Sequence, residues 1–392
     1  MSEKKKKVLI VHNYYQIPGG EDMVVENERK LLEENGHEVL LYTRHNSELN
    51  KMSKAQKLLL PFSTVFNFRT FLEVGKIISR ENIDVLHVHN TLNLVSPSVY
   101  YAGFSKKIPV VQTIHNFRLL CPGATFFRDG HICEDCLEKG LSCAVKHKCY
   151  RGSRMQTLAC VISTLIHRAL GTYRKLNYIC LTEFNKEKLL NLKQIKGEKV
   201  FVKPNFVQAA EKILPYNERK KQFVFAGRLD ELKGIRFLLE SWKEFQSDGY
   251  KLIVCGKGPL EEWCQEYVGT HQLHNVELKG FVANETAKKT IGESKALILP
   301  TKWYEGFPMT IVESYSVGTP VIGTDLGNTG SLIQERKSGW KFSENSKDEL
   351  FRALKNVMET CTGVDGEIIN RYSAEKNYEQ LRKIYETCCN HN

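Results

Sequence analysis

The sequence predicts an α/β protein built from two Rossmann-like domains, and three observations carry that reading. The chain has 392 residues, more than one typical core organises, so two domains are the natural division. Short apolar strands alternate with helix-period stretches in two successive runs, the pattern of parallel sheets covered by helices. A polar stretch from 208 to 221 separates the runs and reads as a linker.

In the first run, Val8 to His12 is a short buried strand. It is followed by Gly19-Gly20, where backbone could approach a phosphate, and by a helical pattern from Met23 to Glu34. The start, with Lys4 to Lys7, reads as the lead into that strand and not as a signal peptide, because only Val8 to Val11 are apolar before His12. Val39 to Tyr42 is the next strand. Residues 51 to 80 mix Lys51, Lys54, Lys57, Arg69 and Lys76 with Leu58, Leu59, Leu60, Phe62 and Phe66. They read equally as two helices on a sheet or as a segment lying on an anionic membrane surface. Ile83 to Asn90 and Pro109 to His115 are further strands, and His115 falls at a carboxyl end, where open α/β sheets bind ligands.

Residues 121 to 154 break the pattern and hold five of the twelve cysteines. Cys121, Cys133, Cys136 and Cys149 have donors suited to a structural zinc, with Cys143, His131 and His147 as further candidates. Buried free thiols are the competing reading. Twelve cysteines without a secretory leader point to reduced thiols and a cytoplasmic protein. Thr157 to Tyr173 reads as helix, Tyr178 to Thr182 as strand and Glu183 to Leu192 as helix.

The second run has strands at Phe223 to Ala226, Lys251 to Cys255, Val276 to Lys279, Ala296 to Pro300 and Pro320 to Gly323. Punctuation follows them. Gly227-Arg228-Leu229-x3-Lys233-Gly234 sets two cations after a strand, a planar fork and a flexible point charge suited to a diphosphate. Gly256-x-Gly258 and Gly280-Phe281-Val282 are further turns, the second fit for backbone contacts with a base. Glu305-Gly306-Phe307-Pro308-Met309 leads into an apolar helix carrying Glu313. Pro308 suits a first helical position there, and the amides at 306 to 309 would face an anion.

Taken together, these motifs and Gly318-Thr319-Pro320-Val321 resemble the retaining glycosyltransferases of family 4, of bacterial polysaccharide-assembly type. The resemblance spans nearly the whole chain. It implies the GT-B architecture: an acceptor-binding domain over 1–207 with the Cys-rich insertion 121–154, a nucleotide-sugar domain over 208–372, and a C-terminal helix over 373–392 crossing back to the first domain. The two would face each other across a cleft.

The resemblance also implies roles. Arg228 and Lys233 would neutralise the donor diphosphate, Glu313 would bind the ribose and Glu305 the transferred sugar. Gly19, Gly20, Val282, Gly306, Phe307, Pro308 and Met309 would complete the donor site, with His115 near the reacting carbon. No divalent metal is expected in catalysis, since preorganised cations can stabilise the leaving diphosphate. The expected partners are a nucleotide diphosphate sugar and a glycan or lipid-pyrophosphate-linked acceptor.

Charge fits an anionic acceptor. Residues 1–205 carry a net +12 and the remainder −1 of the total +11, so the positive field sits on the first half. The place of work implied is the cytoplasm, or the inner face of the membrane as a peripheral protein. Two alternatives use parts of the same pattern. A nucleotide-sugar epimerase would share the architecture without an acceptor, and a zinc-stabilised nucleic-acid module would use the Cys/His cluster beside Lys146, Lys148 and Arg151. The second leaves the glycine-punctuated half without a role, so no nucleic acid is expected as partner.

Overall fold

The computed structural model describes residues 5–16, 19–208, 210 and 212–390. Contacts divide the chain into two units: Met1–Arg128, Cys133–Pro204 and Asn377–Asn392 form unit 1, and Asp129–Ile132 with Asn205–Lys376 form unit 2.

Unit 1 is built on a six-stranded sheet whose strands are β1 (Lys7–Tyr14), β2 (Glu38–His45), β3 (Val85–Val88), β4 (Val110–Ile114), β5 (Asn177–Cys180) and β6 (Val200–Val202), in the order β2-β1-β3-β4-β5-β6. All pairings are parallel; Val8 stands opposite Val39 on one side and Val85 on the other. Val8 to Val11 are fully buried, the composition a strand covered on both faces requires. Helix α1 (Gly20–Glu34) buries Val25, Glu28 and Leu32 on one face, so a carboxylate occupies a core position. The stretch 51 to 80 contains two helices, α2 (Lys54–Val65) and α3 (Phe68–Glu81), and α4 is Arg154–Ala169.

In unit 2 the strands are β7 (Gln222–Ala226), β8 (Lys251–Cys255), β9 (Val276–Gly280), β10 (Ala296–Leu299), β11 (Val321–Thr324) and β12 (Gly339–Phe342), in the order β9-β8-β7-β10-β11-β12. Alternation along β7 splits the core. Phe223 and Phe225 join Trp242 and Leu252 on one face, while Val224 and Ala226 join Leu297, Ile311 and Tyr315 on the other. Three further helices matter below: α5 (Ile235–Glu244), α6 (Met309–Ser316) and α7 (Gly327–Leu332).

The last helix, α8 (Ala374–Asn390), contributes its residues from Asn377 onward to unit 1. Tyr378 pairs with His37 at 3.1 Å and Tyr385 with His87 at 2.7 Å. Two local details differ from expectation. Pro308 is the N-cap of α6, with ψ 94°, rather than its first helical residue; the chain turns one residue later because 305–306 is held from outside the helix. The Cys-rich stretch, read as irregular, contains short helices at Asp135–Glu138 and Ser142–Lys146.

Candidate functional site

In unit 2, the loops after β7 and β8 and the start of α6 define the site. Lys233 reaches Glu305 with its ammonium 2.8 and 2.7 Å from the two carboxylate oxygens. This pair joins residues 72 apart in sequence, and backbone packing makes it possible. Gly234 has φ +71°, and a Cβ there would lie 1.9 Å from the Pro300 carbonyl oxygen, so only glycine lets the 227–234 loop press against the end of β10. The same crowding holds at Gly256, where φ is +149° and a Cβ would meet Gly227 O at 1.8 Å.

Asp230 steadies the loop: its Oδ1 accepts the Lys233 amide at 2.9 Å and its Oδ2 lies 3.3 Å from Arg228 Nε. Arg228 is otherwise open, 66 % exposed at its side chain. Asn328 of α7 donates to the carbonyls of Glu305 and Gly306 at 2.5 and 2.7 Å, which fixes the turn that presents Glu305.

The same loops and α6 line a cavity of about 420 Å³, with Gly227, Arg228, Lys257, Val282, Asn284 and Glu313 among its residues. Glu313 accepts from Asn284 Nδ2 at 3.3 Å, and burial pushes its carboxyl above the ordinary range while Asn284 pulls the other way. Lys233 and Glu305 are not part of the cavity lining. The layout is thus a pocket holding one carboxylate and one guanidinium, with a bidentate ion pair outside its lining. Phe307 and Met309 pack on the core beneath α6.

In unit 1, His115 lies at a strand end beside a small cavity of about 90 Å³ that His89, Asn90, Thr91, Asn116 and Arg118 also line. His115 Nε2 is 2.9 Å from His89 Nδ1. His89 Nε2 lies 3.4 Å from Glu28 Oε1, and His87 Nδ1 lies 2.9 Å from the same oxygen. The buried Lys203 ammonium sits 3.0 Å from Glu28 Oε2 and 3.2 Å from Asn377 Oδ1.

Burial opposes the charge on Glu28, yet Lys203 and His87 outweigh it and hold the carboxyl well below its usual range. Burial, then His87, pushes His89 down to about 3, and burial, then His89, holds His115 well below the usual imidazole value. An anionic Glu28 3.4 Å from its Nε2 favours the His89 tautomer that carries its proton there and accepts at Nδ1. With His89 in that tautomer, His115 donates from Nε2 and keeps Nδ1 as its lone-pair acceptor.

Glu28, His87 and His89 are also, among the described residues, the group whose potential metal-ligand atoms all lie within 4.8 Å of one another. Their spacing could hold an ion. The Lys203 ammonium supplies a positive charge at Glu28 Oε2, and Tyr385 and Thr113 occupy the two His87 nitrogens at 2.7 Å each, while Glu28 Oε1 and His89 Nε2 are buried without a hydrogen-bond partner among the described residues.

At Gly19 the amide donates to Asp22 Oδ2 at 2.9 Å, and Asp22 Oδ1 takes His12 Nε2 at 2.7 Å. The Gly19 N–H is thus committed within the chain. Next to it, Glu21 accepts from Tyr15 at 2.9 Å, and burial pushes its carboxyl up to about 8. Among the cysteines, Cys136 is pushed up to about 12, by burial first and then by Cys121 and Cys149 nearby, with Cys143 a smaller influence. Cys121 and Cys149 flank Gly123, whose added Cβ would lie 3.7 Å from the Cys121 sulfur and 3.4 Å from Cys149 Cβ.

Sequence reasoning therefore reached Arg228, Lys233, Glu305, Glu313 and His115 but missed Asp230, Asn284, Asn328 and the whole Glu28–His89–Lys203 network. One signal for the last was available: Glu28 stands at a helix position whose neighbours Val25 and Leu32 are apolar.

Comparison with known proteins places this geometry. A model described as "Glycosyltransferase Family 4" matches residues 18–211, and one described as "Glycosyl transferases group 1" matches 207–362. An uncharacterized glycosyltransferase of Methanocaldococcus jannaschii is 24% identical over 97% of this chain and 98% of its own length. A putative colanic acid biosynthesis glycosyltransferase of Escherichia coli K12 is 25% identical over 38% of this chain and 39% of its own. The crystal structure of Anabaena HepE in complex with UDP has the same fold, with a TM-score of 0.63 at 14% identity over 97% of this chain and 100% of that one. Two parallel Rossmann-like sheets, a closing C-terminal helix and both halves matched by glycosyltransferase models make this chain a GT-B-fold glycosyltransferase of the family-4-like group, related to enzymes of polysaccharide biosynthesis.

Proposed function

We propose that the protein moves a sugar from a nucleotide diphosphate sugar to a glycan or lipid-linked glycan during cell-surface polysaccharide assembly, with retention at the anomeric carbon. The observation that carries this reading is the Lys233–Glu305 pair together with the Arg228–Glu313 cavity. The cavity takes base and ribose: Val282 borders the base, and Glu313 receives the ribose hydroxyls. Arg228 and Lys233 take the diphosphate, and Glu305, released as Lys233 turns to phosphate, takes sugar hydroxyls. The amides from Gly306 through Phe307 to Met309, with Pro308 contributing none, add donors for phosphate or sugar. In unit 1, His115 Nδ1 accepts from a sugar hydroxyl. With the Gly19 amide held by Asp22, the phosphate contact expected of the glycine pair falls to Gly20. UDP bound to HepE, a protein of the same fold, is consistent with a nucleoside diphosphate in such a cavity.

Cleaving the bond from anomeric carbon to phosphate leaves a diphosphate and an oxocarbenium-like sugar. Two preorganised cations stabilise the charge that develops on the leaving group, which needs no divalent metal. Attack from the face that the diphosphate leaves retains configuration, the departing phosphate receiving the acceptor's proton. Twelve cysteines suit a reducing cytoplasmic setting. The sulfurs of Cys121, Cys133, Cys136 and Cys149, the set expected to hold a structural zinc, do not form a group among the described residues whose ligand atoms lie within 4.8 Å of one another, so the structure does not assemble that site.

Lys233→Ala should lower kcat by about 10² to 10³, the usual effect of removing one group that stabilises developing charge. Nucleoside diphosphates should raise the melting temperature of the wild-type protein. Unchanged turnover in the variant would refute the assignment of Lys233, and no stabilisation by any common nucleoside diphosphate would refute the donor site.

A further inference from the structure

Unit 1 exposes an apolar face that no part of the proposed chemistry uses. On α2, Leu58, Leu59 and Phe62 stand out, and on α4, Met155, Ile162 and Leu165; all six are 42 to 76 % exposed. The two helices are neighbours, because Ser163 Oγ and the His167 ring contact the Thr64 and Val65 carbonyls at 3.3 and 2.9 Å. Between them runs a groove of about 620 Å³ with Lys57 and Arg151 in its lining. Contiguous exposed apolar surface of this kind marks an interaction site.

The charge around it is one-sided. Lys57 and Arg151 line the groove, Lys54 lies on α2 and Arg154 opens α4, and neither helix contains an Asp or Glu. We propose that the α2–α4 face docks on an anionic lipid bilayer, its leucines, Phe62 and Met155 entering the interfacial layer and its lysines and arginines meeting the headgroups. The groove then accommodates a hydrocarbon chain of the bilayer. No helix among the described residues is long and apolar enough to cross a membrane, so this face lies on the surface rather than spanning it. Self-association through the same face is disfavoured, since a two-fold interface would set like charge against like.

The inference deepens the lipid-linked acceptor reading, in that it brings the enzyme to where such acceptors reside. Its evidence is separate from the donor site. Only residues 51–80 carried a membrane signal in the sequence; the contribution of α4 and the groove come from the fold.

Flotation with vesicles of phosphatidylcholine, with and without phosphatidylglycerol, tests the proposal at low and high salt. The wild-type protein should float with the anionic vesicles only, and less at high salt. Lys54→Glu with Lys57→Glu and Arg154→Glu should weaken binding at least tenfold. Leu58→Ser with Met155→Ser should weaken it severalfold while melting as the wild type does, because both side chains are exposed. Absence of wild-type binding to anionic vesicles at low salt, or equal binding by the charge-reversed variant, overturns the proposal. So does a wild-type dimer that the Leu58→Ser/Met155→Ser variant loses while vesicle binding stays unchanged. Nucleoside diphosphate stabilisation of the same variants should be unaltered, which separates failure of this inference from failure of the donor assignment.

Discussion

The two units hold their functional charges in different ways. In unit 2 the charged groups follow strand ends and differ in exposure: Arg228 is mostly exposed, while Lys233 is about a fifth exposed and pairs with a buried Glu305. In unit 1, Glu28, His87, His89 and Lys203 are closed inside the domain, with side chains no more than 2 % exposed. The exposed Arg228 can turn to a new partner at little cost, whereas Lys233 can leave the buried Glu305 carboxylate only if another group takes its place. A pair closed inside the domain is costly to disturb and serves as scaffold. Unit 2 keeps one cation exposed beside a buried ion pair, while unit 1 keeps all of its charged network inside the core.

The comparison breaks first at Glu28. Replacing it by Leu leaves the Lys203 ammonium buried without its carboxylate, and denaturant unfolding should show a loss of about 3 to 5 kcal/mol. The double replacement with Lys203→Met should recover much of that loss, because neither charge is then left uncompensated. A single variant as stable as wild type would mean that the network is not a scaffold.

A finer test reads His115 itself. In ¹⁵N spectra of histidine-labelled protein, with the resonance assigned by its loss in His115→Asn, Nε2 should carry the proton and Nδ1 should not, without titration across about pH 5 to 8. His89→Asn, whose side-chain oxygen can still accept, should preserve that tautomer; His89→Leu should not. A protonated Nδ1 in the wild type would contradict the chain of bonds from Glu28.

The smallest effect concerns pH. Glu21 has its carboxyl pushed up to about 8 from an ordinary 4.5, so the folded state holds a proton the unfolded chain has lost. Its contribution to stability is complete below about 4.5 and declines as pH rises through 8. His89, pushed down from 6.5 to about 3, acts in the other direction: its contribution is complete above 6.5 and declines as pH falls toward 3. The two oppose each other between 4.5 and 6.5, so the Glu21 slope should show cleanly from about pH 6.5 to 8. Melting temperatures of Glu21→Gln in that window should fall less steeply than those of the wild type.

Much of unit 2 was legible in the sequence. Strand ends marked by glycine, two cations five residues apart and a proline before an apolar helix are local features, and each reports its own geometry. What escaped was which side chains support them. Asn328 holds the Glu305 turn from 23 residues away and Asn284 reaches Glu313 across 29; neither position carries a pattern that names its partner. The same limit explains Gly19, whose pairing with Asp22 is a helix-cap choice that its glycine identity does not reveal.

The sequence by itself determined two parallel α/β sheets, the loops that carry the candidate site's charges, and the positive first half, because hydrophobic period, turn chemistry and net charge are properties of neighbouring residues. Only the tertiary structure decided that Glu28 meets Lys203 across 175 residues, that Tyr385 of the last helix meets His87, and that α2 and α4 share one exposed face. Those outcomes depend on which distant surfaces the packed sheet brings within a few ångströms, and no local spacing encodes that distance.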